Sequence, residues 1–329
     1  MGSHPGLQFG TRDFESSRFG KGAHMSLRKP TSLHKKSRAS TAELTAAVRA
    51  IHQRNRVRLF EDPFARFLCG WFWRLVIRLP PLSWILLKGV LRAIEPVSLC
   101  VLVRARYAEM ALEAAVAKGI DQYVIIGAGM DSFAFRRPDL MSRIDVFEID
   151  HPLTQDQKLA RIRRAGWTVP SRLHYVSADL TKISAVEALE SSGFQRSRTT
   201  FLTLMGVAYY LSAEDLGETA ESIARNLPEG TLLLLDYLLD ETSSSSEHRV
   251  MKEKLKAFVA KRGEPMMAEY SLASMKALMA ARGFDTQENL TLPELEQRYR
   301  SPQGAWHLEV PSIFAVGTFR VGARESRKA

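Results

Sequence analysis

The stretch Gln122-Tyr123-Val124-Ile125-Ile126-Gly127-Ala128-Gly129-Met130-Asp131-Ser132 limits the fold more than any other part of the chain. Tyr123 to Ile126 are β-branched or aromatic, the composition of a strand covered on both faces. Gly127 and Gly129 permit a sharp turn and leave room for a ligand to approach the main chain. Asp131 follows where a carboxylate can cap the free N–H groups of a helix start. A strand that passes through glycines into a helix is the opening unit of a doubly wound sheet.

Two later segments extend this unit. Arg143 to Asp150 reads as a second strand ending in an acid, about 20 residues on, where one carboxylate accepts both hydroxyl hydrogens of a ribose. His174 to Leu180 reads as a third strand, again with an acid, Asp179, at its end. Together they describe a nucleoside-binding edge. A dinucleotide fingerprint requires Gly or Ala at the sixth position of G-x-G-x-x-G, where it packs the helix close and cradles a pyrophosphate. That position is Ser132 here, and Asp131 would set a negative charge beside the phosphates. An adenosine ligand without phosphates suits the loop better, and S-adenosylmethionine is such a ligand.

The 329 residues allow one large domain or two small ones, and 45% hydrophobic content supplies a sizeable core. Two cysteines, Cys69 and Cys100, are too few for a disulfide framework, which points to a reducing, cytoplasmic compartment. Neither has metal-ligand spacing and the eight histidines are scattered, so no metal site is expected. The net charge is +10, part of it local to Arg28, Lys29, Lys35, Lys36 and Arg38. No aromatic platform is interleaved with these cations, so nucleic acid is not an expected partner. Residues 1–24 read as a cloning leader without a secretory segment, bounded by Gly2-Ser3-His4 and His24-Met25, with Met25 as the native start. Residues 25–40 read as a disordered basic tail and 323–329 as a second charged tail.

Thr41 to Asn55 reads as a helix capped by Ser40 or Thr41, with Leu44, Val48 and Ile51 on one face. Phe60-Glu61-Asp62-Pro63-Phe64-Ala65 is a turn, and Pro63 starts the next helix. Residues 66–103 are the most apolar region and divide at Pro80-Pro81. Each half is too short to span a bilayer, and Arg74, Arg78, Lys88 and Arg92 interrupt them, so no transmembrane segment is expected. Three readings stand for this region: a pair of packed helices, a hydrophobic lid over a substrate, or shallow contact with a membrane surface. Residues 41–103 thus form an N-terminal helical lid, and 104–322 the main domain.

A helix over Val103–Ala117 leads into the first strand. Helices over Leu153–Ala165 and Lys182–Leu189 alternate with the later strands. A fourth strand covers Thr200–Leu204, a helix capped by Ser212 covers Ala213–Asn226, and a fifth strand covers Leu232–Tyr237. Such alternation gives an α/β fold, a doubly wound and mostly parallel sheet. The loop Glu241–Glu247 precedes helices over Val250–Lys261 and Ser271–Arg282. Phe284–Leu292 and Ile313–Val321 close the sheet as an antiparallel pair, which makes seven strands.

Four stretches resemble the leucine carboxyl methyltransferase family, including its tetracenomycin-type O-methyltransferase branch. They are Phe60–Ala65, Ile126–Asp131, Phe147–Pro152 (Phe-Glu-Ile-Asp-His-Pro) and Met205–Leu211 (Met-Gly-Val-Ala-Tyr-Tyr-Leu). The likeness runs from about Thr41 to the C-terminal strand. It implies a Rossmann-like methyltransferase sheet and S-adenosylmethionine as cofactor. It also implies roles. Arg104 is similar to the arginine that meets the methionine carboxylate, a task suited to a guanidinium fork. Gly127, Ala128, Gly129 and Asp131 match the loop that lines the methionine moiety. Asp150 matches the ribose acid, and Asp179 with Leu180 the pair beside the adenine. Arg49 matches a basic residue of a helix that closes over the cofactor. One departure stands out: the family often has Glu before the Gly of the fourth stretch, and here it is Met205.

Methyl transfer from a sulfonium is an in-line displacement, for which the protein supplies alignment and desolvation. A carboxylate acceptor needs no base, whereas a phenol or enol does. Tyr210 and His307 are the expected catalytic residues. His151, beside the ribose acid, is read as structural, and Arg298 and Arg300 as a solvated face. The resulting expectation is an O-methyltransferase acting on a carboxylate or hydroxyl of an apolar, polyketide-like small molecule. The alternatives are a protein carboxyl methyltransferase of the same family, an NAD-linked oxidoreductase and a non-catalytic S-adenosylmethionine-binding protein.

Overall fold

In the computed structural model, residues 34–54, 58–59, 61–85, 89, 95–241, 246–299 and 310–323 are described. The leader 1–24, residues 25–33 of the basic tail, Lys88, Arg92, Arg300, His307 and residues 324–329 lie outside them.

The N-terminal region consists of α1 (His34–His52), α2 (Ala65–Leu68), α3 (Trp71–Arg78) and α4 (Pro80–Ile85), followed by the long α5 (Glu95–Ala117). Two boundaries differ from the sequence reading. Helix α1 already includes His34, inside the stretch read as tail, where Lys35, Lys36, Arg38 and Ala39 favour helix. The chain is already in α5 at Glu95, eight residues before the expected Val103.

The sheet domain then alternates. It runs β1 (Gln122–Ile126), α6 (Phe133–Arg136), α7 (Pro138–Met141), β2 (Asp145–Asp150), α8 (Pro152–Ala165), β3 (Leu173–Ser177) and α9 (Ala185–Ala188). After β4 (Thr200–Leu204) a 3-10 turn at Ala208–Tyr210 leads to α10 (Ala213–Asn226) and β5 (Leu232–Leu238). Next come α11 (Ser246–Ala260), α12 (Leu272–Ala281), β6 (Phe284–Thr291), α13 (Leu292–Tyr299) and β7 (Phe314–Val321). Helix α9 is one turn rather than the expected Lys182–Leu189. Ser184 and Glu187 form a capping box that starts it late, while Thr181 is bent around the carboxylate of Asp179. Ser212 and Ser271 cap α10 and α12 as their sequences anticipate.

The seven strands are ordered β3-β2-β1-β4-β5-β7-β6. The first five are parallel, and β7 runs antiparallel to both β5 and β6. Strand order reverses between β1 and β4, which is where doubly wound sheets open a crevice at the carboxyl ends of their strands. Both faces are covered. Tyr123 and Ile125 point into a core with Val103, Leu112 and Phe133. Val124 and Ile126 point the other way, into a core with Leu216, Ile223 and Met275. A third cluster joins Ala46 and Ala47 of α1 to Leu68, Cys69, Met130 and Ile162. It seats the N-terminal helices on the glycine loop and on α8. Cys69 and Cys100 are buried thiols outside any disulfide, and burial pushes both up to about 12, which keeps them protonated. Among the described residues no helix is long and apolar enough to cross a membrane.

Candidate active site

The carboxyl ends of β1, β2, β4 and β5 converge at the switch point. The loop after β1 is fastened to β2: the amides of Gly127 and Ala128 both donate to the Ile149 carbonyl, at 2.8 and 3.1 Å. Gly127 and Gly129 have φ of +72° and +52°, a region that side chains rarely tolerate. Space forbids a side chain as well. A Cβ at Gly127 would come within 2.5 Å of Val207 Cγ2, and one at Gly129 within 3.2 Å of the Ala42 Cβ. The loop is therefore enclosed, by the β4 connection on one side and by α1 above.

Asp150 ends β2 beside this loop. Its Oδ2 accepts from the Gly129 amide at 2.5 Å and its Oδ1 from the His151 amide at 2.6 Å. Burial raises its pKa against these two hydrogen bonds. It stays half-buried, with lone pairs left for a ribose diol. His151 itself accepts at Nδ1 from the Leu153 amide and caps α8, the structural role read for it. Asp131 accepts from the Phe133 amide at 2.5 Å and so starts α6. Burial acts to raise its pKa, but Arg136, Arg49 and Lys158 outweigh it and hold the carboxyl below its ordinary value. Asp179 is turned toward Thr181 and Lys182, and Leu180 beside it is exposed.

On the other side of the switch point stands a second carboxylate, Asp236 of β5. Register pairs Leu204 with Leu235, so Met205 and Asp236 are the next positions on adjacent strands. Asp236 Oδ1 accepts from the Gly206 amide at 2.6 Å, and its Oδ2 forms an ion pair with Arg104 Nη1. Arg104 Nη1 also donates to the Tyr209 hydroxyl at 3.1 Å, while its Nη2 lies over Gly206. Burial opposes the charge on Arg104, yet Asp236 and Tyr209 more than offset it, and its pKa is raised. Met205 is half-buried and packs into the core beside β1. Tyr210 stacks edge-on against Tyr209 with ring centres 4.7 Å apart. Burial, then Tyr209 and Glu264, push its hydroxyl well above the ordinary tyrosine range.

The N-terminal helices are tied to the glycine loop through Asp62, which is fully buried. Its Oδ2 accepts from Arg49 Nε at 2.8 Å and from the Ser132 hydroxyl at 2.7 Å, and its Oδ1 from the Ala65 amide at 2.9 Å. Arg49 Nη2 also donates to the Met130 carbonyl at 2.5 Å. Below β2, Lys158 and Glu148 form a buried pair at 2.5 Å. Sequence reasoning missed Asp62, Asp236 and Tyr209. The signal for Asp236 was available, since it is the one acid in the apolar run of β5. Asp62 sits in a stretch that reads as a turn, and its partners are distant in sequence. Among the described residues no group of three or more His, Cys, Asp and Glu is placed to hold a metal.

Comparison with known proteins bears on the family and the fold. The profile of the leucine carboxyl methyltransferase family matches residues 42–224. YktD of Bacillus subtilis, whose name places it among S-adenosyl-L-methionine-dependent methyltransferases, is 34% identical over 203 residues, 61% of this chain and 66% of that protein. A Parafrankia protein with the same kind of name is 34% identical over 201 residues, 60% of this chain and 62% of that protein. The chain thus spans just under two thirds of the length of these two relatives. A DUF574 family protein of Streptomyces avermitilis shares the fold at a TM-score of 0.61, with 14% identity, over 88% of this chain and 100% of that one.

Proposed function

This chain belongs to the leucine carboxyl methyltransferase family, and we propose that it is an S-adenosylmethionine-dependent O-methyltransferase whose acceptor is an apolar small molecule bearing a carboxylate or hydroxyl. The observation that carries this reading is the strand-end constellation at the switch point: an enclosed glycine loop, Asp150 bonded to that loop's own amide, and the Arg104–Asp236 pair opposite. The fit to the cofactor rests on these features. Asp150, a half-buried carboxylate held by two backbone amides, offers acceptors to a diol.

When bound, S-adenosylmethionine supplies an activated methyl group; alignment and exclusion of water are the protein's work. Gly127, Ala128 and Gly129 line the methionine portion, Asp150 takes the ribose hydroxyls, and Asp179 and Leu180 flank the adenine. Arg104 keeps the Nη2 side of its fork for the methionine carboxylate, since Nη1 serves Asp236 and Tyr209. Asp236 lies level with Met205 on the adjacent strand, but its carboxylate is paired with Arg104, so it orders that arginine rather than replacing the family's Glu. Tyr210 acts as a hydrogen-bond donor that orients the acceptor rather than as a base, because its hydroxyl stays protonated at neutral pH. A carboxylate acceptor, which needs no deprotonation, suits this arrangement best. His307, the second expected catalytic residue, lies outside the described residues.

Thermal unfolding with S-adenosylmethionine, S-adenosylhomocysteine and NAD in parallel tests the reading. A ligand at a hundredfold excess over its Kd stabilises by about 2.7 kcal/mol and moves the midpoint by several degrees. Both sulfur nucleosides should shift the midpoint and NAD should not. A shift with NAD alone would overturn the assignment.

A further inference from the structure

Helix α3 is apolar on two opposite faces. Val76 is buried, and Trp73 and Ile77 pack on the cluster that seats the N-terminal helices. On the other side Trp71 (79% exposed), Phe72, Leu75 and the adjoining Leu79 face solvent. At 3.6 residues per turn these positions share roughly one third of the circumference. In the following helix α4, Trp84 and Ile85 are also exposed, at 67% and 56%. The outer face of a surface helix is ordinarily polar, and a run of large apolar side chains there marks an interaction site.

Charge identifies the partner. From Pro63 to Ile94 the chain holds no Asp or Glu, yet it holds Arg66, Arg74, Arg78, Lys88 and Arg92. Exposed Trp, Phe, Leu and Ile accompanied only by cations is the composition of segments that lie in the headgroup layer of an anionic bilayer. A second copy seated on the same surface would bring like charges together. Helix α3 has eight residues, about 12 Å of rise, so contact is shallow and parallel to the surface. We propose that the α3–α4 face docks this protein onto anionic lipid bilayers, independently of the chemistry at the switch point.

Co-sedimentation with vesicles tests this, using phosphatidylcholine alone or with about 30% phosphatidylglycerol. The full chain should bind the anionic vesicles at least about tenfold more tightly, and less so at high salt. The triple variant Trp71→Ser, Leu75→Ser, Trp84→Ser should lose about tenfold or more of that binding while unfolding at the wild-type temperature, since all three side chains are exposed. Arg78→Glu, a milder change at another exposed position, should weaken binding to the anionic vesicles alone. Wild-type binding by the triple variant would assign the contact to the basic tail and overturn the proposal. So would equal binding to both vesicles, no binding to either, or a triple variant whose effect is to dissolve a dimer.

Discussion

Asp150 of β2 and Asp236 of β5 lie at one level across the sheet, on either side of β1 and β4, and they are held in opposite ways. Asp150 is met only by the amides of Gly129 and His151, and burial raises its pKa. Asp236 is fully buried and paired with Arg104, itself almost fully buried. The first carboxylate keeps acceptor capacity for a ligand. The second is bound up in neutralising a cation inside the protein. On the proposed reading the two acids divide the labour: Asp150 takes the ligand, and Asp236 orders Arg104.

The sharpest way to break this comparison is to remove each acid. Asp236→Ala leaves Arg104 buried without its counter-ion, which costs about 3–5 kcal/mol. Urea unfolding should show this loss, and Arg104→Met with Asp236→Leu should recover part of it. Asp62→Ala comes next. It unpairs Arg49, Ser132 and the Ala65 amide, at a cost of about 2–3 kcal/mol. Because these bonds join the N-terminal helices to the loop, hydrogen exchange should speed up in α1 and α2 while the strands stay protected. Asp150→Ala should lower stability by only about 1–2 kcal/mol, the scale of two partly exposed hydrogen bonds. Tyr210→Phe should change stability by under about 1 kcal/mol, leave S-adenosylhomocysteine affinity as it is, and raise KM for the acceptor.

Acid sharpens the same contrast. A ribose donates to the ionised form of Asp150, whose folded pKa lies above the ordinary 3.8. Nucleoside affinity should therefore weaken as pH falls, starting above pH 3.8, and Asp150→Asn should flatten that profile. The sign for folding is the reverse. A carboxyl whose pKa is raised on folding contributes less stability as pH rises from its unfolded value through its folded one. The falling-pH loss of binding thus comes from the site and not from acid unfolding at Asp150.

Local chemistry made much of this readable. The apolar runs of β1, β4 and β5, the glycines between β1 and α6, and Ser212 before α10 are short-range signals, and the structure has those elements where they point. The structure sets Asp150 at the end of β2 beside the glycine loop, where the pattern of strand and acid placed it. The N-terminal region was less so. Nothing between Val97 and Val103 marks where a helix starts, and α13 follows β6 without a break. The partners of Asp62 lie 13 and 70 residues away, and that of Arg104 lies 132 away. Pairings across such separations are made by topology, which a reading of neighbours along the chain does not reach.

Calorimetric titration of S-adenosylhomocysteine into wild type and Asp150→Ala, with urea unfolding of both, bears most directly on the division between the two acids. Loss of two charge-assisted hydrogen bonds should weaken binding by about a hundredfold, while most of the folding stability remains. Wild-type affinity in Asp150→Ala would contradict the account, because the acid at the end of β2 would then not be the one that holds the ligand.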